Sequence, residues 1–321
     1  MVEFLDRVSG FERITEYAST KEPFLFIISY DKTEIFVQKL SELSGDIAYS
    51  FDCEARVDLG KKANLVKYPV DFKTYSNSFK QVIEEIKRGN TYLLNLTFRS
   101  EIETSLSFSE IFAQAKAPYK LLIDNEFVCF SPECFIKIED NTISTYPMKG
   151  TIDASIPNAK EKILNDLKET AEHTMIVDLM RNDLNMVAVK TTVPKFRYID
   201  NIKAGDKELL QVSSEIKAQL SDNWHKNLGK ILDKLTPAGS ISGTPKMSTL
   251  KIIDSVELSS RGLYCGVFGV YDGKSLKSAV MIRAISKEKD KLYYHSGGGI
   301  TLDSDLEMEY QELLDKIYLP I

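Results

Sequence analysis

Phe127-Val128-Cys129-Phe130-Ser131-Pro132-Glu133-Cys134-Phe135-Ile136-Lys137-Ile138-Glu139-Asp140-Asn141-Thr142-Ile143-Ser144-Thr145-Tyr146-Pro147-Met148-Lys149-Gly150-Thr151 decides the reading of this 321-residue chain. Two runs rich in aromatic and β-branched residues, 127–138 and 142–148, flank Glu139-Asp140-Asn141, whose turn chemistry predicts a hairpin. A three-residue loop centred on Asp140 or Asn141 sets Glu133 opposite or diagonal to Lys149, with Cβ atoms roughly 5–8 Å apart. Lys149 stands between Pro147, which fixes its own φ, and Gly150, which permits turns that other residues resist. Two readings of Lys149 stay open on these residues alone: a nucleophile partnered by Glu133, or a solvated surface charge.

Outward from this stretch the elements come in groups. Residues 1–70 read as short mixed elements, with Phe24–Ile28 a strand candidate. Ser76 or Asn77 can cap a helix in which Phe79, Val82, Ile83 and Ile86 keep helical spacing, and Gly89 ends it. A strand follows with Leu94, Leu96 and Phe98 on one face and Leu93, Asn95 and Thr97 on the other. Downstream, a long helix is expected from about Asn158 to Met180, and another from Pro245 with Thr244 as its cap. Strands are expected at 264–271, 277–287 and 291–296, then a triple glycine and a helix from about Ser304 to Tyr318. Grouped strands without regular βαβ alternation predict an α+β fold. No Pro/Gly/Ser-rich linker divides the chain, so a single catalytic domain over 1–321 is expected, with its motifs within 75–318.

The composition narrows the function classes. A net charge of −6 argues against nucleic acid or an anionic membrane as the main partner. There is no apolar run of about 18 residues and no signal-peptide pattern at Met1-Val2-Glu3-Phe4, so a cytoplasmic enzyme is expected. The four cysteines, Cys53, Cys129, Cys134 and Cys265, form no CxxC pair, which speaks against a disulfide framework or a zinc site.

Several residues offer chemistry. Glu169, Glu172 and His173 share one side of the long helix, and Glu172 lies in line with Ile176 and Leu179, where a carboxylate needs a partner. Glu309, Glu312 and Lys316 share a face of the last helix. That face is either solvated with a Glu312–Lys316 ion pair or, together with the first glutamate pair, a hard oxygen site for Mg²⁺. Gly297, Gly298 and Gly299 either permit a tight turn or present bare amides to an anion. Met281, Arg283 and Ile285 are expected on one strand face, with Arg283 in an ion pair or clamping a carboxylate.

In this order the motifs resemble the chorismate-utilising enzymes, the group of anthranilate, isochorismate, salicylate and aminodeoxychorismate synthases. The matching runs are Gly89-Asn90-Thr91-Tyr92-Leu93-Leu94-Asn95-Leu96, Ser131-Pro132-Glu133, Pro147-Met148-Lys149-Gly150-Thr151, Lys168-Glu169-Thr170-Ala171-Glu172-His173 and Val177-Asp178-Leu179-Met180-Arg181-Asn182-Asp183. Gly239-Ser240-Ile241-Ser242-Gly243-Thr244-Pro245-Lys246, Ile282-Arg283, Ser296-Gly297-Gly298-Gly299-Ile300 and Glu309-Tyr310-Gln311-Glu312 complete the set, and residues 1–70 look like a shortened N-terminal part. The resemblance implies two packed mixed β-sheets with helices outside and the site between them. It implies Mg²⁺ on Glu172 and Glu312, with Glu169 and Glu309 as second carboxylates, holding the ring carboxylate of chorismate. Arg283, Lys316, Thr244 and the Gly298 and Gly299 amides are implied substrate contacts, and Glu133 the acid/base group at the departing 4-hydroxyl.

Within that group, anthranilate-forming members usually carry Pro-Ile-Ala-Gly-Thr where this chain has Lys149, whereas C4-aminating members that attack through the enzyme carry lysine. Leu93 stands where water-adding members have a lysine base, and Gln211 where many members have a histidine associated with pyruvate elimination. The resemblance thus implies amination of chorismate at C4 with Lys149 as covalent nucleophile, feeding p-aminobenzoate and folate synthesis. With no Gly-x-Cys-x-Gly nucleophile setting, ammonia is expected from a separate glutamine amidotransferase subunit or from solution. The rivals are an anthranilate-forming component and a catalytically silent chorismate-binding subunit.

Overall fold

The structure is a computed structural model and describes residues 2–51, 53, 64–204 and 207–321, apart from the side chains of residues 168, 203, 204 and 207. The helices are α1 (Arg7–Ser19), α2 (Phe72–Lys87), α3 (Phe108–Gln114), α4 (Ala159–Asn165), α5 (Leu167–Asn185), α6 (Leu228–Leu235), α7 (Lys246–Val256) and α8 (Leu306–Asp315). The strands are β1 (Phe24–Ile28), β2 (Ile35–Lys39), β3 (Ile47–Ser50), β4 (Leu65–Tyr68), β5 (Leu93–Thr104), β6 (Tyr119–Ile123), β7 (Phe127–Ser131), β8 (Cys134–Glu139) and β9 (Thr142–Thr145). They continue with β10 (Met148–Asp153), β11 (Val189–Ala204), β12 (Lys207–Gln219), β13 (Gly243–Thr244), β14 (Val267–Tyr271), β15 (Leu276–Val280), β16 (Ala284–Glu288) and β17 (Lys291–Ile300).

Two sheets result. The first runs β10-β12-β9-β8-β15-β14-β1-β2, with β11 also on β12; the second runs β13-β5-β17-β16-β7-β6-β3, with β4 also on β5. Among the described residues every pairing between strands is antiparallel, so the implied mixed sheets are corrected to antiparallel ones within the expected α+β architecture. The alternation of β5 explains its layering. Leu94, Leu96 and Phe98 pack with Phe79, Val82, Ile252 and Leu313 under the helices, while Leu93 joins the larger cluster that includes residues of both sheets.

The 127–151 stretch folds as a hairpin with a tighter turn than expected. Ile138 pairs with Ile143 and Glu139 with Thr142, leaving a two-residue loop of Asp140 and Asn141 at φ 47° and 60°. Asp and Asn tolerate that left-handed geometry, and it matches the twist of the strands. Glu133 precedes β8, and past Thr145 the chain leaves β8. Strand β10 follows β12 in the register that β9 began, Thr145 opposite Ile216 and Met148 opposite Ser213. Glu133 and Lys149 are therefore not cross-strand neighbours.

Other boundaries differ for local reasons. Helix α2 starts at Phe72, because Asp71 accepts the Thr74 N–H and hydroxyl; Ser76 lies buried inside the helix instead of capping it. The expected 158–180 helix breaks at Asp166, whose extended backbone ends α4 and whose carboxylate caps α5 at the Glu169 N–H. Thr244 belongs to β13 opposite Leu93, and α7 begins after Pro245. The expected strand 277–287 is two strands in different sheets, parted at 281–283 where Arg283 adopts φ 52°, so Met281, Arg283 and Ile285 form no common strand face. The triple glycine is no turn; β17 runs through it to Ile300.

Candidate active site

Lys149 occupies a β-bulge. Met148 pairs with Ser213 and Thr151 with Gln211, so Lys149 and Gly150 together face Val212. A bulge adds a residue, breaks the ladder and re-aims a side chain. Gly150 takes φ 83°, and a Cβ there would lie 2.9 Å from Glu169 Oε2, which admits only glycine comfortably. Re-aimed, the Lys149 Nζ lies 3.8 Å from Glu172 Oε2 and beside Gly299, where an added Cβ would sit 3.0 Å from it. Glu172, not Glu133, is thus the carboxylate in ion-pair contact with the lysine.

Glu133 lies within electrostatic reach of Lys149 and accepts a short hydrogen bond from the Ser240 hydroxyl. Burial pushes its pKa above the ordinary carboxylate value, against the opposing pull of Ser240 and of Lys149. Ser240 lies in a short turn at Gly239–Ile241, inside a run picked out by resemblance but without a role; its hydroxyl beside a strand-mouth carboxylate carried no local signal.

The glycine strand supplies an open edge. β16 pairs with β17 only as far as Ala284 opposite His295, so beyond it that edge of β17 has no neighbouring strand among the described residues. On the other edge, Thr97 N–H donates to Glu257 Oε1 (2.8 Å) and Asn95 N–H to Ser242 O (2.8 Å), both away from β17. Bonded and non-bonded pairs alternate in an antiparallel ladder. Gly298 with Leu96 is therefore the bonded pair, while Gly297 and Gly299 turn their amide groups to the open edge. Lys316 Nζ donates to Gly297 O there (2.7 Å). Of the two amides expected to face substrate, only that of Gly299 points outward. Gly298 matters by its missing side chain: a Cβ would lie 3.4 Å from Glu309 Oε2 and 3.5 Å from Glu312 Oε1.

The acidic residues thus come from two sides of one strand. Glu169 and Glu172 on α5 accompany Lys149 and Gly150, and Glu309 and Glu312 on α8 reach Gly298. Glu172 and Glu309 are buried; Glu309 accepts from the Ser304 hydroxyl (2.7 Å), and exposed Glu312 pairs with Lys316 (2.6 Å). Among the described residues no three acidic, histidine or cysteine groups already stand together as a metal cage. The all-oxygen donor set nevertheless suits a hard cation.

Two further expected substrate contacts are Arg283 and Thr244. Arg283 sets its guanidinium 5.4 Å from the Tyr318 ring centroid. Thr244 accepts through its carbonyl from Tyr92 N–H and helps line a cavity of about 1060 Å³ that none of Lys149, Glu133 or Glu172 reaches. Of the cations lining that cavity, Lys246 pairs with Asp183, Lys32 and Arg7 with Asp233, and Arg261 with Glu257, while Lys234 donates to Met186 O (3.3 Å).

Comparison with known proteins identifies the family. The family model described as chorismate binding enzyme matches residues 7–320. An uncharacterized PabA-like protein of Haemophilus influenzae is 49% identical over 97% of this chain and 96% of its own length. Aminodeoxychorismate synthase component 1 of Salmonella typhimurium is 34% identical over 76% of this chain, which spans 56% of that protein. Anthranilate synthase component I from Streptococcus pneumoniae has the same fold, with a TM-score of 0.71 at 19% identity, covering 92% of this chain and 79% of that one. No helix among the described residues is long and apolar enough to cross a membrane. With the family model spanning nearly the whole sequence and the glycine strand, glutamate pairs and Lys149 gathered at one sheet junction, the chain belongs to the chorismate-binding enzymes.

Proposed function

We propose that this chain aminates chorismate at C4, giving 4-amino-4-deoxychorismate as aminodeoxychorismate synthase component 1 does. The observation that carries the reading is the Lys149 amine set beside Gly299 and Glu172 and within electrostatic reach of Glu133. An ordinary lysine, with a pKa near 10.4, is almost wholly protonated at neutral pH, so it attacks only after giving up a proton. The neutral amine adds at C2 of the diene, the double bonds shift, and the C4–O bond breaks with Glu133 giving its proton to the departing hydroxyl. Ammonia then adds at C4, the double bonds return, and the C2–N bond to Lys149 breaks. The C2–N electron pair returns to Lys149, which leaves as the neutral amine, and one proton passes from the incoming nitrogen to Glu133, restoring its acid form. The buried, protonation-favouring setting of Glu133 suits a group that delivers a proton first.

Leu93 supports amination over hydration. It is 3% exposed and packs 3.4 Å from the position of a Gly299 Cβ, an apolar group where water-adding relatives carry a base. Mg²⁺, held by Glu172 and Glu312 with Glu169 and Glu309, would neutralise the ring carboxylate and fix the ring. Arg283, Lys316 and the Gly299 amide are the further carboxylate contacts in this reading. Ammonia comes from a separate glutaminase. Cys129, Cys134 and Cys265 are buried, with thiols pushed up to about 12 by desolvation, and Cys53 has no flanking glycines.

Incubation with chorismate, Mg²⁺ and ammonium, read by mass spectrometry, tests the reading. A product retaining the enolpyruvyl group with nitrogen at C4 is expected, and fluorescent anthranilate with released pyruvate would overturn it. Without ammonia, a chorismate-minus-water adduct on Lys149 is expected. Full C4 amination by Lys149→Ala would remove the lysine from the mechanism.

A further inference from the structure

The bulge that aims Lys149 has a counterpart across the same strand. On the other edge of β12, Lys195 pairs with Glu215 and Tyr198 with Ser213, so Phe196 and Arg197 together face Ser214. Ser214 joins the two bulges. Its N–H donates to Pro147 O (3.0 Å), two residues before Lys149, and its hydroxyl oxygen accepts the Arg197 N–H (2.9 Å). Arg197 takes φ 50°, a left-handed conformation that is uncommon for so large a side chain and persists where contacts hold it.

Those contacts lead to α4. Arg197 Nη1 donates to Leu164 O (2.8 Å) and Nη2 to Ile163 O (3.1 Å), carbonyls of the last turn, which a helix cannot satisfy internally. The guanidinium suits that place by its fork of donors and by its charge at the negative end of the helix. Helix α4 needs such an anchor. It has seven residues, well short of the about 12–15 at which an isolated helix becomes even marginal, and Asn158 makes no side-chain cap bond at its start. What α4 places is Ile163, buried, with Cδ1 3.4 Å from the position of a Gly150 Cβ. The side chains nearest that position are those of Glu169 and Ile163, so α4 forms one wall of the bulge that carries Lys149.

We propose that Arg197 is a positioning residue: it clamps the end of α4 so that Ile163 braces the Lys149–Gly150 bulge and holds the lysine amine beside Glu172 and Gly299. Its effect on rate rests on Lys149 as the nucleophile; its effect on geometry does not. Arg197→Met keeps the apolar stem and removes both donors, whereas Arg197→Lys keeps the charge and one donor group without the fork. Arg197→Met is expected to lower kcat about 10-fold at unaltered KM for chorismate, with Arg197→Lys restored to within about 3-fold of the unaltered enzyme. Equal kcat losses in both variants with equal losses of melting temperature would mean general packing and overturn the proposal, as would full activity of Arg197→Met. Ile163→Val trims only the Cδ1 that meets the bulge and leaves Arg197 in place, so it tests the link even where Arg197→Met does not fold. It is expected to lower kcat about 3-fold at unaltered KM, and an unaltered kcat would break the link from α4 to the lysine.

Two readouts follow the geometry without turnover. In Arg197→Met, the amides of 159–165 are expected to exchange hydrogen about 10-fold faster, and acetic anhydride to acetylate Lys149 about 3-fold faster by mass spectrometry, as the clamp opens. Unaltered exchange or unaltered acetylation would overturn the inference. If Lys149→Ala retains C4 amination while both readouts move in Arg197→Met, the nucleophile reading falls and the clamp on the lysine stands.

Discussion

Alanine at each of the three glycines of β17 should produce three different failures, because each absent Cβ meets a different group. At Gly297 a Cβ would lie 2.4 Å from Leu96 O, 2.7 Å from Thr97 Cγ2 and 2.9 Å from Thr97 Cα. Those are strand backbone and a β-branched side chain, neither of which can swing aside. Gly297→Ala should therefore cost about 1–3 kcal/mol of stability, the range for forced overpacking. At Gly299 the close atom is Lys149 Nζ at 3.0 Å, the far end of a flexible chain, with Leu93 Cδ1 at an ordinary 3.4 Å. The fold absorbs this, and the loss of unfolded-chain freedom adds about 0.4–1 kcal/mol in its favour. The displaced amine should lower kcat about 10²-fold, the usual consequence of an ångström-scale misplacement of a reacting group. At Gly298 the contacts are Glu309 and Glu312 at 3.4 and 3.5 Å. Gly298→Ala should fold normally and raise the Mg²⁺ concentration for half-maximal rate about 10-fold, a typical effect of disturbing a ligand's setting. Urea unfolding separates the first variant from the others; ammonium-dependent amination at varied Mg²⁺ separates the second from the third. A folded Gly299→Ala enzyme with unaltered kcat would refute the placement of Lys149, and unaltered stability of Gly297→Ala would refute the β5–β17 register.

Ser240→Ala removes the hydroxyl that favours ionised Glu133, so the Glu133 pKa should rise further and the limb of the kcat/KM profile that it governs should move to higher pH; an unmoved profile would detach Glu133 from the rate. His295 is buried against Tyr264 and Ser286, with its pKa lowered by burial and by Arg99 to about 3. The unfolded chain binds this proton from about pH 6.5 downward and the folded chain does not, so stability falls as pH drops. His295→Gln should remove about 2 kcal/mol of the stability change between pH 7.5 and 5, measured by urea unfolding. Arg261 and Glu257 are 2% and 5% exposed and joined by two hydrogen bonds, so Arg261→Met, leaving a buried carboxylate, should destabilise by about 3–5 kcal/mol; a smaller loss on urea unfolding would mean that Glu257 is solvated or neutral.

The β8–β9 hairpin was legible because its cause is local: Asp140-Asn141 can take left-handed backbone between two β-forming runs. The route from Glu133 to Lys149 was not. It depends on β10 pairing with β12, about sixty residues further on, and that pairing was invisible to a reading of adjacent runs. For the same reason Gly297–Gly299 read equally as a turn, since only β5 shows that the backbone there is extended. The break at Asp166 was masked by the apolar run Ile163, Leu164 and Leu167, although Leu167 proves highly exposed and Asp166 has ordinary capping chemistry. Helical spacing did align Glu169 with Glu172 and Glu309 with Glu312. Their approach from opposite sides of one strand required the sheets themselves.

The orientation of the glycine strand is fixed by groups distant from the chemistry. Strand β5 directs Asn95 and Thr97 to one edge and Leu94 and Leu96 to the other, since hydrogen-bond direction and side-chain face both alternate along a strand. Glu257 holds Thr97 through its N–H and hydroxyl, Ser242 O takes the Asn95 N–H, and Arg261 bonds the Asn95 and Ile241 carbonyls while gripping Glu257. The apolar pattern enforces the same parity, with Leu94, Leu96 and Phe98 under the helices. A slip of one residue would expose those three side chains and turn Gly298 outward in place of Gly297 and Gly299. The buried Arg261–Glu257 pair and the leucines of β5 thus act together to decide which glycine amides face the open edge, and the site inherits that edge from the packing of the strand beneath it.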